Sequence, residues 1–159
     1  MEPYHLRRTD KAMDHPDEIA RVLETARWIS LAMCRDGEPY VVALNHGWDR
    51  ARGCLYFHCA SAGKKVDVLR ANDRVWGLAV EDLGYRDGEC DHAFRSVMFS
   101  GRVRFLTELR EVRHALEVMI RQQESDPEAV IAEQLTDARI AAVTVGRIDL
   151  DELTGKQAI

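Results

Sequence analysis

The chain has 159 residues, 46% of them hydrophobic, with a formal net charge of −5 and a pI near 5.7. That is enough apolar material for one core without metal or disulfide staples, and its acidic balance excludes a general nucleic-acid binder, which needs a basic surface to displace counterions. No apolar run reaches the roughly 20 residues that span a bilayer, and the N-terminus lacks a signal-peptide core, so we expect a soluble cytoplasmic protein with no nucleic-acid and no membrane partner.

We expect one domain over 1–159. Residues 1–13 are polar, mixed in charge and without an apolar period, which predicts an N-terminal arm that orders only against something else. Asp14-His15-Pro16-Asp17-Glu18 is a helix-start signal, with Pro16 at the first helical position and acids in the first turn. Ile19, Val22, Leu23 and Ala26 then form one apolar stripe, ending near Arg27.

Alternation from Trp28 to Arg35 and again from Tyr40 to Trp48, around the turn Asp36-Gly37-Glu38-Pro39, predicts a hairpin. A polar segment ending at Gly53 leads into a third strand, Cys54 to Cys59, giving a three-stranded meander. The chain then passes from Leu55-Tyr56-Phe57-His58-Cys59-Ala60 through Ser61-Ala62-Gly63 into a helix beginning Lys64-Lys65-Val66. Ser61 suits an N-cap, and the two lysines stand in the first turn, where the macrodipole disfavours positive charge. Two readings fit this junction: a phosphate cradle built of free N–H groups, a hydroxyl and ammonium groups, or a capped helix with solvated lysines.

Val75 to Val80 reads as a buried strand. Glu81 to His92, acidic and aperiodic, reads as a surface loop of the length used for lids. Phe94 to Leu106 is a long strand that Gly101 allows to bend. Thr107 caps the next predicted helix, Pro127 starts a short one running to about Leu135, and Ile140 to Val145 is expected to be the last strand, leaving 147–159 as a C-terminal tail. Several short strands with irregularly placed helices predict a mainly β protein, an antiparallel barrel with peripheral helices. Cys34, Cys54, Cys59 and Cys90 have no CxxC spacing and are read as thiols; no metal is expected.

Taken together, Pro39-Tyr40-Val41-Val42-Ala43-Leu44-Asn45, Leu55 to Ala60, Gly63-Lys64-Lys65-Val66-Asp67, Cys90-Asp91, Arg95-Ser96-Val97 and Gly101 resemble the nitroimidazole-resistance branch of the pyridoxamine-phosphate-oxidase-like flavoproteins. The resemblance runs from about Ile19 to Lys156. It implies an FMN-binding split β-barrel, normally a homodimer with flavins at the subunit interface. By position, Val42, Ala43, Leu44 and Asn45 would edge the isoalloxazine ring, His58, Cys59 and Ala60 would line the ribityl side, and Lys65, beside Lys64, would bind phosphate. Arg95 and Ser96 match a second flavin-contacting segment.

The expected activity is that of an FMN-dependent oxidoreductase acting on a small electron-poor molecule, nitroimidazoles included, with the cofactor carrying the chemistry and no catalytic side chain assigned. The rival expectation is a non-catalytic protein that holds flavin, or haem through His46 or His58, for storage or sensing. Trp28, Trp48 and Trp76 are candidates to cover the ring in a dimer.

Overall fold

The computed structural model of the protein describes residues 6–159; the start of the expected arm, 1–5, lies outside them. Within the rest of that arm, a 3-10 turn at Thr9–Lys11 leads into β1 (Ala12–Met13), which pairs with Gly155 and Lys156 and buries Met13. Next come α1 (Pro16–Thr25), β2 (Ile29–Arg35), β3 (Glu38–Leu44), β4 (Gly47–Asp49), β5 (Cys54–Cys59) and α2 (Lys64–Ala71). The second half holds β6 (Arg74–Arg86), β7 (Asp91–Phe105), α3 (Leu109–Gln123), α4 (Pro127–Gln134), α5 (Asp137–Ala142) and β8 (Thr144–Ala158). All strand pairs are antiparallel, in the order β3-β2-β6-β7-β8-β5-β4, with β1 added to β8. The sheet is mainly β and rolled but not closed, because its two edge strands, β3 and β4, do not pair with each other. This is the split barrel expected. Among the described residues, no helix is long and apolar enough to cross a membrane.

The inner faces of the strands meet in one core. Ile29, Leu31, Leu55, Phe57, Val97, Phe99 and Ile148 are fully buried there, and α1 adds Val22 and Leu23. The Phe57 ring lies on Gly146, its partner on β8, where any Cβ would strike the ring. A second core forms on the outside of β5: Cys54 and Tyr56 pack against Val112, Ala115 and Met119 of α3, with Leu135, Ile140 and Val145 completing it.

Four expected elements differ. The second strand does not run from Tyr40 to Trp48; it breaks at Asn45-His46, so β3 pairs with β2 while β4 pairs with β5, and there is no three-stranded meander. The expected 81–92 loop is a protruding hairpin of β6 and β7 with its turn after Arg86. It extends beyond the barrel, so no core imposes alternation on it. Ile140 does not start a strand but ends up buried on α5, whose N-cap Thr136 accepts from the Arg139 amide at 3.4 Å. The last strand is instead the expected tail, 147–159, nearly all of which lies within β8, paired along β7 and β5. A bulge where Ser100 pairs with Glu152 but Gly101 with Leu150 leaves Asp151 extra. It moves the inward residues from Ile148 and Leu150 to Leu153 and Gly155, which breaks the period of two that marks a strand.

The joint between the two cores is polar. Asp49, buried on β4, accepts from His114 Nε2 of α3 at 2.7 Å, from the Arg52 amide at 3.1 Å and from the Tyr56 hydroxyl at 3.4 Å. Burial pushes the Asp49 carboxyl up, but His114 and Arg52 together outweigh it and hold it below its ordinary value. The Tyr56 hydroxyl is pushed up to about 12, by burial first and by Cys54 next. Since the Asp49 value is lower in the folded state, its stabilisation is complete above the unfolded value of about 3.9 and is lost as pH falls through the folded one. Asp49→Asn is therefore expected to cost roughly 1.5–3 kcal/mol at neutral pH. In urea denaturation the deficit relative to wild type should shrink below about pH 4.

Candidate functional site

The break in the sheet leaves two runs of backbone with one edge unpaired. Strand β3 hydrogen-bonds only to β2, and past Tyr56 strand β5 hydrogen-bonds only to β8, since three-residue β4 reaches no further than Tyr56. The slot between them is bounded at both ends. At one end the Asn45-His46 crossover carries the chain from β3 to β4. At the other, Lys64, just past β5, reaches back to β3, pairing with Glu38 at 3.2 Å and lying 4.8 Å above the Tyr40 ring. Unpaired strand edges attract a hydrogen-bonding partner, and a planar heterocycle with polar edges is one.

The crossover end is held rigidly. His46 is fully buried; its Nε2 and the Nε2 of Gln122 on α3 both donate to the Leu23 carbonyl, at 2.8 and 3.0 Å. This leaves His46 Nδ1 bare and without a partner among the described residues. Burial lowers the His46 pKa, opposed by the Leu23 contact, and keeps the ring neutral. Gln123 Nε2 donates to the His46 carbonyl at 3.0 Å, and Asn45 Nδ2 donates to the Arg27 carbonyl at 2.9 Å. His46 is thus fully buried with Nε2 committed to Leu23, whereas His58 is exposed.

At the other end, the cap of α2 is Gly63 and not Ser61. Gly63 has φ 126°, which only glycine adopts without strain, and no side chain caps the helix. The first intrahelical bond runs from the Asp67 amide to the Gly63 carbonyl, so the amides of Lys64, Lys65 and Val66 remain open. Lys64 is committed to Glu38, whereas Lys65 is half-buried, 5.8 Å above the Phe57 ring and without an acidic partner among the described residues. An uncapped helix start beside an unpaired ammonium fits a terminal phosphate.

Of the expected site residues, Val42, Ala43 and Leu44 lie on β3 with Asn45 at the crossover, His58 and Cys59 end β5 with Ala60 next to it, and Lys64 and Lys65 open α2; Asn45 and His58 line one cavity, and Lys64 reaches back to Glu38 and Tyr40. Pleating divides them, however. Val42, Leu44 and Cys59 turn toward the barrel core, whereas Ala43, Asn45 and His58 turn outward, so the first three can offer a ligand mainly their backbone. Arg95 and Ser96 lie apart from them. Arg95 pairs with Glu81 at 3.1 Å and opposes Gln157, and Ser96 opposes Lys156, at the far end of β8 from Cys59 and Thr144. Trp48 packs on the barrel core, while Trp28 and Trp76 are 60% and 42% exposed on the outer surface. The sequence reading missed Gln122 and Gln123, which hold the crossover from 74 or more residues away, and no local signal marks them.

Residues 15–157 match the pyridoxamine 5'-phosphate oxidase family. The chain belongs to that family. Among solved structures it is similar to a candidate 5-nitroimidazole antibiotic resistance protein from Bacteroides thetaiotaomicron, with 26% identity, a TM-score of 0.78 and coverage of 92% of this chain and 86% of the other. It is also similar to a FAD-binding protein from Mesorhizobium loti, with 27% identity, a TM-score of 0.67 and coverage of 94% and 98%. A FAD and heme binding protein from Mycobacterium smegmatis shares the fold at 16% identity, with a TM-score of 0.79 over 93% of this chain and 73% of the other. No curated protein matches the sequence.

Cysteine chemistry reports on the slot. Burial pushes the Cys59 thiol up, and the Lys65 charge pulls it down without cancelling that effect. Exposed Cys90 should be alkylated by iodoacetamide well before half-buried Cys59 at mildly alkaline pH. Lys65→Ala should slow Cys59 further, because it removes the cation that favours the thiolate. Peptide mass spectrometry over a time course checks both, and faster labelling of Cys59 in the variant would contradict the placement of Lys65.

Proposed function

We propose that the chain is an FMN-dependent oxidoreductase that acts on a small electron-poor molecule, with nitroimidazoles among the acceptors to be tried. The observation that carries this reading is the slot itself: two unpaired strand edges that converge on an uncapped helix start with an unpaired lysine. Bound there, a flavin would supply two-electron transfer between a donor and an acceptor. The chain's own part is to bind and orient. The amides of α2 and the Lys65 ammonium would hold the phosphate, the free edge of β3 from Tyr40 to Leu44 would hydrogen-bond the ring edge, and the neutral, rigid crossover would fix the ring's position. Two of the similar structures are of FAD-binding proteins by name, which supports a flavin; the terminal phosphate that Lys65 would meet is the ground for FMN over FAD.

The same reading takes the protein as a homodimer. Strands β3, β2, β6 and β7 carry Val41, Ala32, Trp76 and Met98 on one outer face, where Val41 is 63% exposed, and Trp28 and Val80 extend it. A second copy would cover that apolar sheet and the open side of the slot. Arg95 and Ser96, remote from the slot of their own chain, would reach the partner's only if Arg95 exchanged its pairing with Glu81 for the ligand. Sedimentation should give a dimer and not the 18.1 kDa monomer.

Lys65→Ala is expected to weaken FMN binding by about ten- to a hundredfold, the worth of one charge-assisted contact, and to leave riboflavin binding unchanged. Equal wild-type affinity for FMN and riboflavin would remove the phosphate site. Anaerobic addition of NAD(P)H to the FMN-loaded protein should bleach the flavin absorbance, and a nitroimidazole or quinone should restore it. Stoichiometric FMN that no donor reduces would make the protein a carrier.

A further inference from the structure

A cavity of about 510 Å3 lies between β5 and the helices α3, α4 and α5, within the size range of small-molecule sites. Its floor is apolar and already fixed by packing, since Leu116, Met119, Leu135 and Val143 belong to the second core or pack against it. Half of the lining is polar: Asn45 and Gln123 are committed to the Arg27 and His46 carbonyls, and the others are His58 of β5, Glu124 just after α3, Gln134 of α4 and Arg139 of α5. Arg113 and Arg121 of α3 are paired with Asp137 and Glu128. Arg139, by contrast, is exposed at the cavity rim and has no side-chain partner among the described residues. Glu124, exposed on the same lining, is the one carboxylate there, so a ligand anion must pair directly with Arg139, and a second negative charge would find no further cation.

We infer that this cavity binds a planar aromatic molecule of one or two rings that carries one carboxylate, with the ring on the apolar floor and the carboxylate on Arg139. A bidentate carboxylate contact is what a free guanidinium fits best, and a flat hydrocarbon face is what a rigid aliphatic floor fits best. The cavity shares Asn45 and His58 with the slot. Resting on the flavin reading, it is then the substrate-side pocket beside the ring, and His58 stands between the two.

Titration calorimetry with 2-naphthoate, and with 2-naphthamide as its neutral counterpart, tests this on the full chain with and without FMN. Wild type should bind naphthoate more tightly than naphthamide. Arg139→Gln, an exposed change on a short helix, should weaken naphthoate by about tenfold and leave naphthamide and FMN affinities unchanged. Naphthoate should also perturb the flavin absorbance without releasing FMN. No binding of naphthoate, or equal binding by wild type and Arg139→Gln, would overturn the site. Stoichiometric displacement of FMN would also overturn it, by making the cavity the ring's own seat. If the protein takes up no FMN yet binds naphthoate through Arg139, the carboxylate site stands and the flavin reading falls.

Discussion

The molecule depends on one change of partner. At Asn45-His46 the backbone stops being an edge of the β2 side of the sheet and becomes an edge of the β5 side, within the space of two residues. A regular strand there would have extended the hairpin with β2, and the split would not exist. Buried neutral His46 prevents that: its Nε2 is tied to the Leu23 carbonyl at the end of α1, and Gln122 shares the same acceptor. Backbone leaving a sheet needs other hydrogen-bond partners, and here side chains supply them.

That arrangement couples parts of the fold that would otherwise be independent. Helix α3 serves the second core with Val112, Ala115 and Met119, the polar joint with His114 and the crossover with Gln122 and Gln123. Loosening α3 would therefore loosen the slot, although α3 contributes no residue to the strand edges that form it. The cavity between β5 and α3 has the same origin. Strand β5 buries Leu55 and Phe57 in the barrel, so His58, on the opposite face, must look toward the helices.

Charge is arranged with equal economy. An acidic protein holds one unpaired lysine at the uncapped start of α2, while the neighbouring lysine is neutralised by Glu38. A single local cation at a helix N-terminus can select a phosphate without making the surface generally basic. On the far side of the barrel the Arg95–Glu81 pair serves the sheet.

By itself the sequence determined the mainly β class, α1 with Pro16 at its start, the strand at Cys54–Cys59 and the junction of Gly63 with Lys64 and Lys65, because each is written in neighbouring residues as a period, a cap or a charge. The break at Asn45-His46 was invisible locally, since Tyr40 to Trp48 alternates without interruption and the residues that end the strand, Gln122 and Leu23, are distant in sequence. The tail hid as β8 because Asp151 at the bulge reverses the parity of its inward residues, and the hairpin of β6 and β7 hid because it has no core to face. Tertiary structure alone decided that the residues at one slot are split between two faces, that Lys65 and not Lys64 is left unpaired, and that Arg95 and Ser96 lie elsewhere. The reason is physical: which side of a strand, and which partner, a residue receives depends on pairing across the sheet, and pairing is a property of residues far apart in the chain.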